Sequence, residues 1–302
     1  MSLVRASDTA HSRSARARVG VLLADPASAP GFRSGRRLHR VSARDVARRW
    51  RDPLLVLSAA STLPAVARVA AGANRRHRLR GLLIRQDVGT GLLGPMLDRA
   101  GLRALRSVLV HEGPPLPARV LDAWEMGAEN ELIAEASVTG GVLFVLSCAL
   151  ERLEVPIRRL PALSGMPAED LRGLEVSPDG SYIRWSMGDV HLDLGSLRYV
   201  VDPVWRARTD AARVRQHERF GDGIRAVREA RGLAQHAIDG ISVRHVRRIE
   251  AGVFPKVATL RVLARAHGME LDGYLAAVAE AAERLQEGRG RRSRRGSRPR
   301  PV

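Results

Sequence analysis

The chain has 302 residues, is 45% hydrophobic and 27% charged, and is only 4% aromatic, so it can hold two or three domains with cores of Ala, Val, Leu and Ile. Cys148 is the single cysteine, which excludes a disulfide framework, and no apolar run approaches the roughly 20 residues that a membrane span needs. The formal charge of +18 is almost wholly arginine, since Lys256 is the one lysine, and it is unevenly placed: residues 1–51 hold twelve Arg and three Asp, and residues 288–302 hold seven Arg and no acid. Basic arms of this kind favour a polyanion, most often nucleic acid, through counterion release. A start rich in arginine but without an apolar signal core reads as a cytoplasmic bacterial protein.

Residues 1–18 are polar, rich in Ser and Arg and without periodicity, and are expected to be disordered. From 19 to 113 short apolar runs (19–24, 53–59, 81–84, 108–110) alternate with helix-like stretches (43–50, 63–73, 96–106). That alternation predicts an α/β unit with a parallel sheet, with 33–40 as a basic loop. Within it lies Gly89-Thr90-Gly91-Leu92-Leu93-Gly94, with Glu112 ending the next apolar run. Glycines before a helix and an acid after the next strand are what a dinucleotide's pyrophosphate and ribose require. The string follows the third apolar run, however, and such a fingerprint opens the first strand–helix–strand unit. A plain glycine turn is the better reading, and no cofactor is expected. A receiver-like domain would need an acidic pocket and a lysine, and only Asp25 sits at a strand end.

Residues 114–131 read as a linker, Pro114-Pro115-Leu116-Pro117, followed by a helix. Residues 132–203 read as a small α+β domain. It has a strand at 142–147, a turn at Pro178-Asp179-Gly180 between strands at 173–176 and 181–185, and an alternating strand at 189–194. Asp189, His191 and Asp193 would share one face of that strand. A single strand supplies a line of ligands and no converging partners, so no metal site is expected. The Asp179-Gly180 to Trp185 core, the Asp-Val-His-Leu-Asp-Leu strand and the closing Asp202-Pro203 resemble a small bacterial domain family of unassigned function. Its members are often followed by a helix-turn-helix.

Residues 213–287 carry the sharpest signal. A helix at 220–232 is stopped by Gly232, a short helix follows at 233–238, and Asp239-Gly240 turns the chain. Ser242 then caps a third helix, 243–250, ended by Gly252. Helices at 259–267 and 271–285 complete an all-α domain, and the tail 288–302 is expected to be disordered. Ile224-Arg225, Arg228-Glu229, Gly232-Leu233-Ala234-Gln235, Ser242-Val243, Val246 and Arg248-Ile249-Glu250-x-Gly252 resemble the Cro/phage-repressor (XRE family) helix-turn-helix. The pattern continues through Pro255, Leu260, Leu263-Ala264, Gly268 and Leu271. The spacing from Gln235 to Ser242 is two or three residues shorter than is usual in that family.

The resemblance implies that the third helix enters the major groove, where arginine forks read guanine. It assigns Gln235 to a phosphate, Ser242 to the cap, and Val243, Arg244 and Arg248 to bases. His245 and Arg247 would touch bases or backbone, and Arg228 and Glu250 would form a buried ion pair. The expected function is that of a sequence-specific transcriptional regulator, not an enzyme, with double-stranded DNA as its partner and no membrane. Assembly as a homodimer and a partner protein or small-molecule effector are compatible with it. The alternatives are an antitoxin-like or protein-interaction component, and a nucleotide-binding enzyme with a regulatory helix-turn-helix.

Overall fold

The computed structural model describes residues 18–48, 50–102, 105 and 107–296. All but Arg18 of the N-terminal stretch expected to be disordered lies outside the described residues. The fold is mixed α/β, in two compact units that divide after Pro203.

The first unit is built on a five-stranded parallel sheet in the order β2-β1-β3-β4-β5. Its strands are β1 (Val19–Leu23), β2 (Leu38–Arg40), β3 (Leu54–Ala59), β4 (Leu79–Arg85) and β5 (Val108–His111). All six residues of β3 are buried, as expected for a central parallel strand covered on both faces. Leu22, Val56 and Leu82 lie side by side in register. They face a core with Leu63, Val66 and Ala70 of a helix at Leu63–Arg75. Val21, Leu55, Leu57 and Leu83 face the other way. Burying each such Leu or Val contributes roughly 1.5–3 kcal/mol. The helices of this unit are α1 (Ala43–Arg48), α2 (Leu63–Arg75), α3 (Thr90–Arg99) and α4 (Pro115–Met126), followed by the short α5 (Ala168–Arg172) and α6 (Leu194–Val201).

Two sequence readings are corrected here. The basic loop at 33–40 contains strand β2, whose Leu38 is buried beside Val19. The prolines at 114–117 open α4 instead of forming a linker, because a helix's first turn has no need of proline's missing N–H. Val120, Leu121, Ala123 and Trp124 of α4 fill the second face of the sheet, together with Ala134 and Cys148. Residues 132–203 join the α/β part in one compact unit through Ala134, Cys148 and Leu150, while Ile133, Leu143, Val145, Trp185 and Leu197 build a second core of their own.

That later segment holds two three-stranded antiparallel sheets. One joins β6 (Ile133–Thr139), β7 (Val142–Ser147) and β8 (Arg152–Pro156). The other joins β9 (Leu174–Val176), β10 (Ile183–Trp185) and β11 (Val190–Leu192). Trp185 is fully buried and donates its indole N–H to the Leu171 carbonyl at 3.0 Å. The turn at 178–180 forms as expected, with Gly180 at φ +76°. The alternating strand at 189–194 is shorter than expected. Asp189 is left-handed at φ +47°, and Asp193 caps α6 by accepting from the Ser196 amide at 2.6 Å.

The second unit is helical: α7 (Pro203–Ala230), one 3₁₀ turn (Gln235–Ala237), α8 (Val243–Glu250), α9 (Val257–Ala266) and α10 (Leu271–Gly296). The expected second helix at 233–238 is thus a single turn, cut short as the chain turns at Asp239-Gly240, where Gly240 is at φ +81°. Ile224, Val246, Ile249, Leu263, Tyr274 and Val278 form its core. Two glycines in α7 let backbones approach. A Cβ on Gly221 would lie 2.6 Å from the Ile249 carbonyl, and one on Gly223 would lie 2.5 Å from that of Val278. Helix α10 runs through Gly296, so the segment from 288 begins as helix instead of disordered tail; residues 297–302 lie outside the described residues.

Candidate nucleic-acid interface

Helix α8 begins because Ser242 is extended and its hydroxyl accepts the His245 amide at 3.3 Å. It ends at Ala251 and Gly252, the latter at φ +99° against Glu218. Between them the residues separate by helical angle. Val246, Ile249 and Glu250 point into the core. Arg244, Arg247 and Arg248 stand at i, i+3 and i+4, so they share the opposite, exposed face. Like charges at this spacing cost a helix a few tenths of a kcal/mol per pair. Arg244 and Arg248 meet no acidic partner among the described residues. Val243 and His245 are half-buried at the flanks of this face, and Ser242 is exposed at its start.

The ion pair expected between Arg228 and Glu250 is present. Arg228 Nε donates to Glu250 Oε1 at 2.5 Å, and its terminal nitrogen donates to Oε2 at 3.2 Å. Both side chains are nearly inaccessible, at 11% and 1% exposure. Arg225 adds a third cationic contact at 3.5 Å. Burial alone would raise the Glu250 carboxyl, but hydrogen bonds from Arg228 and Gln235 and the charges of Arg228 and Arg225 outweigh it and hold it below the usual glutamate range.

Gln235 is engaged within the protein. Its Nε2 donates to Glu250 Oε2 at 2.7 Å, and its Oε1 accepts from Arg247 Nε at 3.0 Å. Both ends of the amide are in use. Gln235 bridges the buried ion pair to the exposed arginine face and fixes the direction of Arg247. The sequence held no separate signal for this bridge, because a glutamine at that position fits either role.

The carboxyl edge of the parallel sheet is the usual place for a ligand in an open α/β fold. Here it is occupied by the chain's own side chains. Arg85 at the end of β4 donates to Asp25 at the end of β1 at 2.7 Å. That bond, the Ser28 hydroxyl and the Ala27 amide hold the Asp25 carboxyl below its ordinary range against the opposing effect of burial. Asp87 takes both the amide and the hydroxyl of Ser61. Beside them His111 is buried and donates from Nδ1 to the Gly113 carbonyl, 2.8 Å away. Gly89 precedes α3, while Gly91 and Gly94 lie inside it, and a Cβ on any of the three would meet open space. The three glycines face open space, while Leu93 between them packs against the sheet's core. Burial pushes the Cys148 thiol up to about 12, so it stays protonated and serves as a small core residue. No cluster of three metal-ligating side chains occurs among the described residues, and no helix there is long and apolar enough to cross a membrane. No protein-family model, curated protein or solved structure matches the chain.

Proposed function

We propose that the chain is a sequence-specific transcriptional regulator that reads double-stranded DNA, with α8 as the recognition helix of a helix-turn-helix. The observation that carries this is the division of α8: Val246 and Ile249 inward, Arg244, Arg247 and Arg248 outward on one face. A cationic face on a short, capped helix suits the major groove, and the bidentate fork of arginine suits the O6 and N7 of guanine. Ser242 and Val243 stand at the N-terminal end that approaches base edges, and His245 flanks it. Arg247 is held out by Gln235. The arginines from 289 onward follow the last core residues of α10 and add phosphate contacts. The first unit serves sensing or association, and a homodimer would place its half-sites about 34 Å apart.

The test is fluorescence anisotropy on selected and random duplexes across a salt series, using the intact chain, a version ending at Glu287, and Arg244→Ala. Loss of site preference in Arg244→Ala supports the reading. Removing the tail should weaken all duplexes alike and flatten the salt slope. A second reading, docking of a partner protein, is favoured by one feature. Val253, Phe254 and Val257 are 39%, 55% and 57% exposed beside α8. If Arg244→Ala changes nothing and binding vanishes with the tail, that reading replaces the first.

A further inference from the structure

A cleft of about 260 Å³ opens in the first unit between α1 and α2, at the amino ends of β3 and β4. Its lining includes the apolar side chains of Val46, Ala47, Trp50, Leu54, Val69 and Ala73, of which Leu54 and Ala73 are buried. Its rim carries Arg68, Arg75, Arg76 and Arg78 against a single acid, Asp52. Arg78 donates to the Trp50 carbonyl at 2.8 Å. Arg68, Arg75 and Arg76 are exposed and form no ion pair or hydrogen bond with another described side chain.

Such a rim needs a cause. Arg75 and Arg76 close α2 and complement the negative end of its dipole. That does not account for Arg68, two turns earlier, whereas Arg78, beyond the helix, is already held by the Trp50 carbonyl. Four arginines line this cleft, of which Arg68 and Arg75 also border the neighbouring hollow towards α3, and a multiply charged anion held among them would offset their like charge. Arginine forks match phosphate oxygens in pairs. The volume lies just under the range of drug-sized sites, roughly 300–1,000 Å³, so the ligand is smaller than a dinucleotide. A concave site with a partly apolar lining suits a small molecule better than the convex backbone of a duplex. The carboxyl edge of the same sheet, where a ligand would ordinarily bind, is filled by Asp25, Arg85 and Asp87.

We propose that the cleft between α1 and α2 is a binding site for a small phosphorylated ligand. Arg68, Arg75, Arg76 and Arg78 hold its phosphate or diphosphate, and its remaining part lies on the apolar lining at Val69 and Ala73. The site is separate from α8 and does not rest on the DNA-reading proposal.

Isothermal titration of the full chain with sodium pyrophosphate, and with ADP as a probe that adds a planar group, tests this at fixed ionic strength. The intact chain and an Arg244→Ala/Arg248→Ala variant should each show one saturable site. Arg68→Ala/Arg75→Ala should weaken it at least tenfold without moving the melting temperature, because both side chains are exposed. Arg76→Gln, a milder change, should weaken it less and in the same direction. Three results overturn the proposal. The heats are non-saturating and alike in all variants; or the loss follows Arg244 and Arg248; or the cleft variants lose random duplex DNA while pyrophosphate binding is unchanged.

Discussion

Replacing Arg228 with Met removes one side of a buried ion pair while keeping a side chain of similar reach. Glu250, 1% exposed, then loses its two bonds from Arg228 at 2.5 and 3.2 Å. It keeps Gln235 at 2.7 Å and the more distant Arg225 at 3.5 Å. Stranding one charge of such a pair costs about 3–5 kcal/mol, and the two remaining partners place this case at the lower end, about 3 kcal/mol. For a unit of this size that lowers the melting temperature by roughly 12–24 °C. The readout is the helical transition followed by circular dichroism at 222 nm. The decisive comparison is Arg228→Met/Glu250→Leu, which removes both charges and fills the space. It should recover part of the loss, about 1–2 kcal/mol, because no charge is left stranded while the Gln235 amide and the Leu233 carbonyl still lose their partners. A double variant no more stable than Arg228→Met would refute the reasoning and assign the loss to packing.

The pair also sets a pH dependence. Glu250 is held below its unfolded value of about 4.3, so its contribution is complete above that pH and is lost as pH falls through the folded value. Thermal melts from pH 6 to 3 should therefore fall more steeply for the parent than for Arg228→Met/Glu250→Leu, and parallel curves would contradict this. Ser242→Ala removes the cap that accepts the His245 amide, at a cost of about 0.5–1 kcal/mol, whereas Ser242→Asp retains it. Melting temperatures that rank Asp beside Ser and both above Ala check that role.

The sequence made long periodic elements legible and short ones obscure. β3 and β4 could be read because a central parallel strand is an unbroken apolar run. β2 could not, because it has three residues and only Leu38 of them is buried. The prolines at 114–117 were ambiguous, since the same residues open a helix or mark a linker. What decides is whether Val120, Leu121 and Trp124 find a core, and that core lies on strands up to a hundred residues away. The first unit's extent was hidden for the same reason: Cys148 and Leu83 meet through folding, not through spacing. In the second unit the third helix was readable from its cap and its inward residues. The loss of the second helix depended on where the chain turns after Ile238. Gln235 could be placed at the right end of that turn, but its two partners come from α8, 12 and 15 residues further on.

Strand β2 is the outer strand of the parallel sheet on its side. An outer strand exposes unpaired amides and carbonyls that can template pairing with another chain. This one is three residues long, ends on exposed Arg40 and follows exposed Arg36 and buried Arg37. Its approach is pinned by the Glu125 carboxylate, which accepts the amides of Arg36, Arg37 and Leu38. Two copies meeting edge to edge here would bring arginine against arginine along a strip too short to repay the repulsion. The border is thereby guarded against runaway polymerisation, and any joining of copies is steered to other faces.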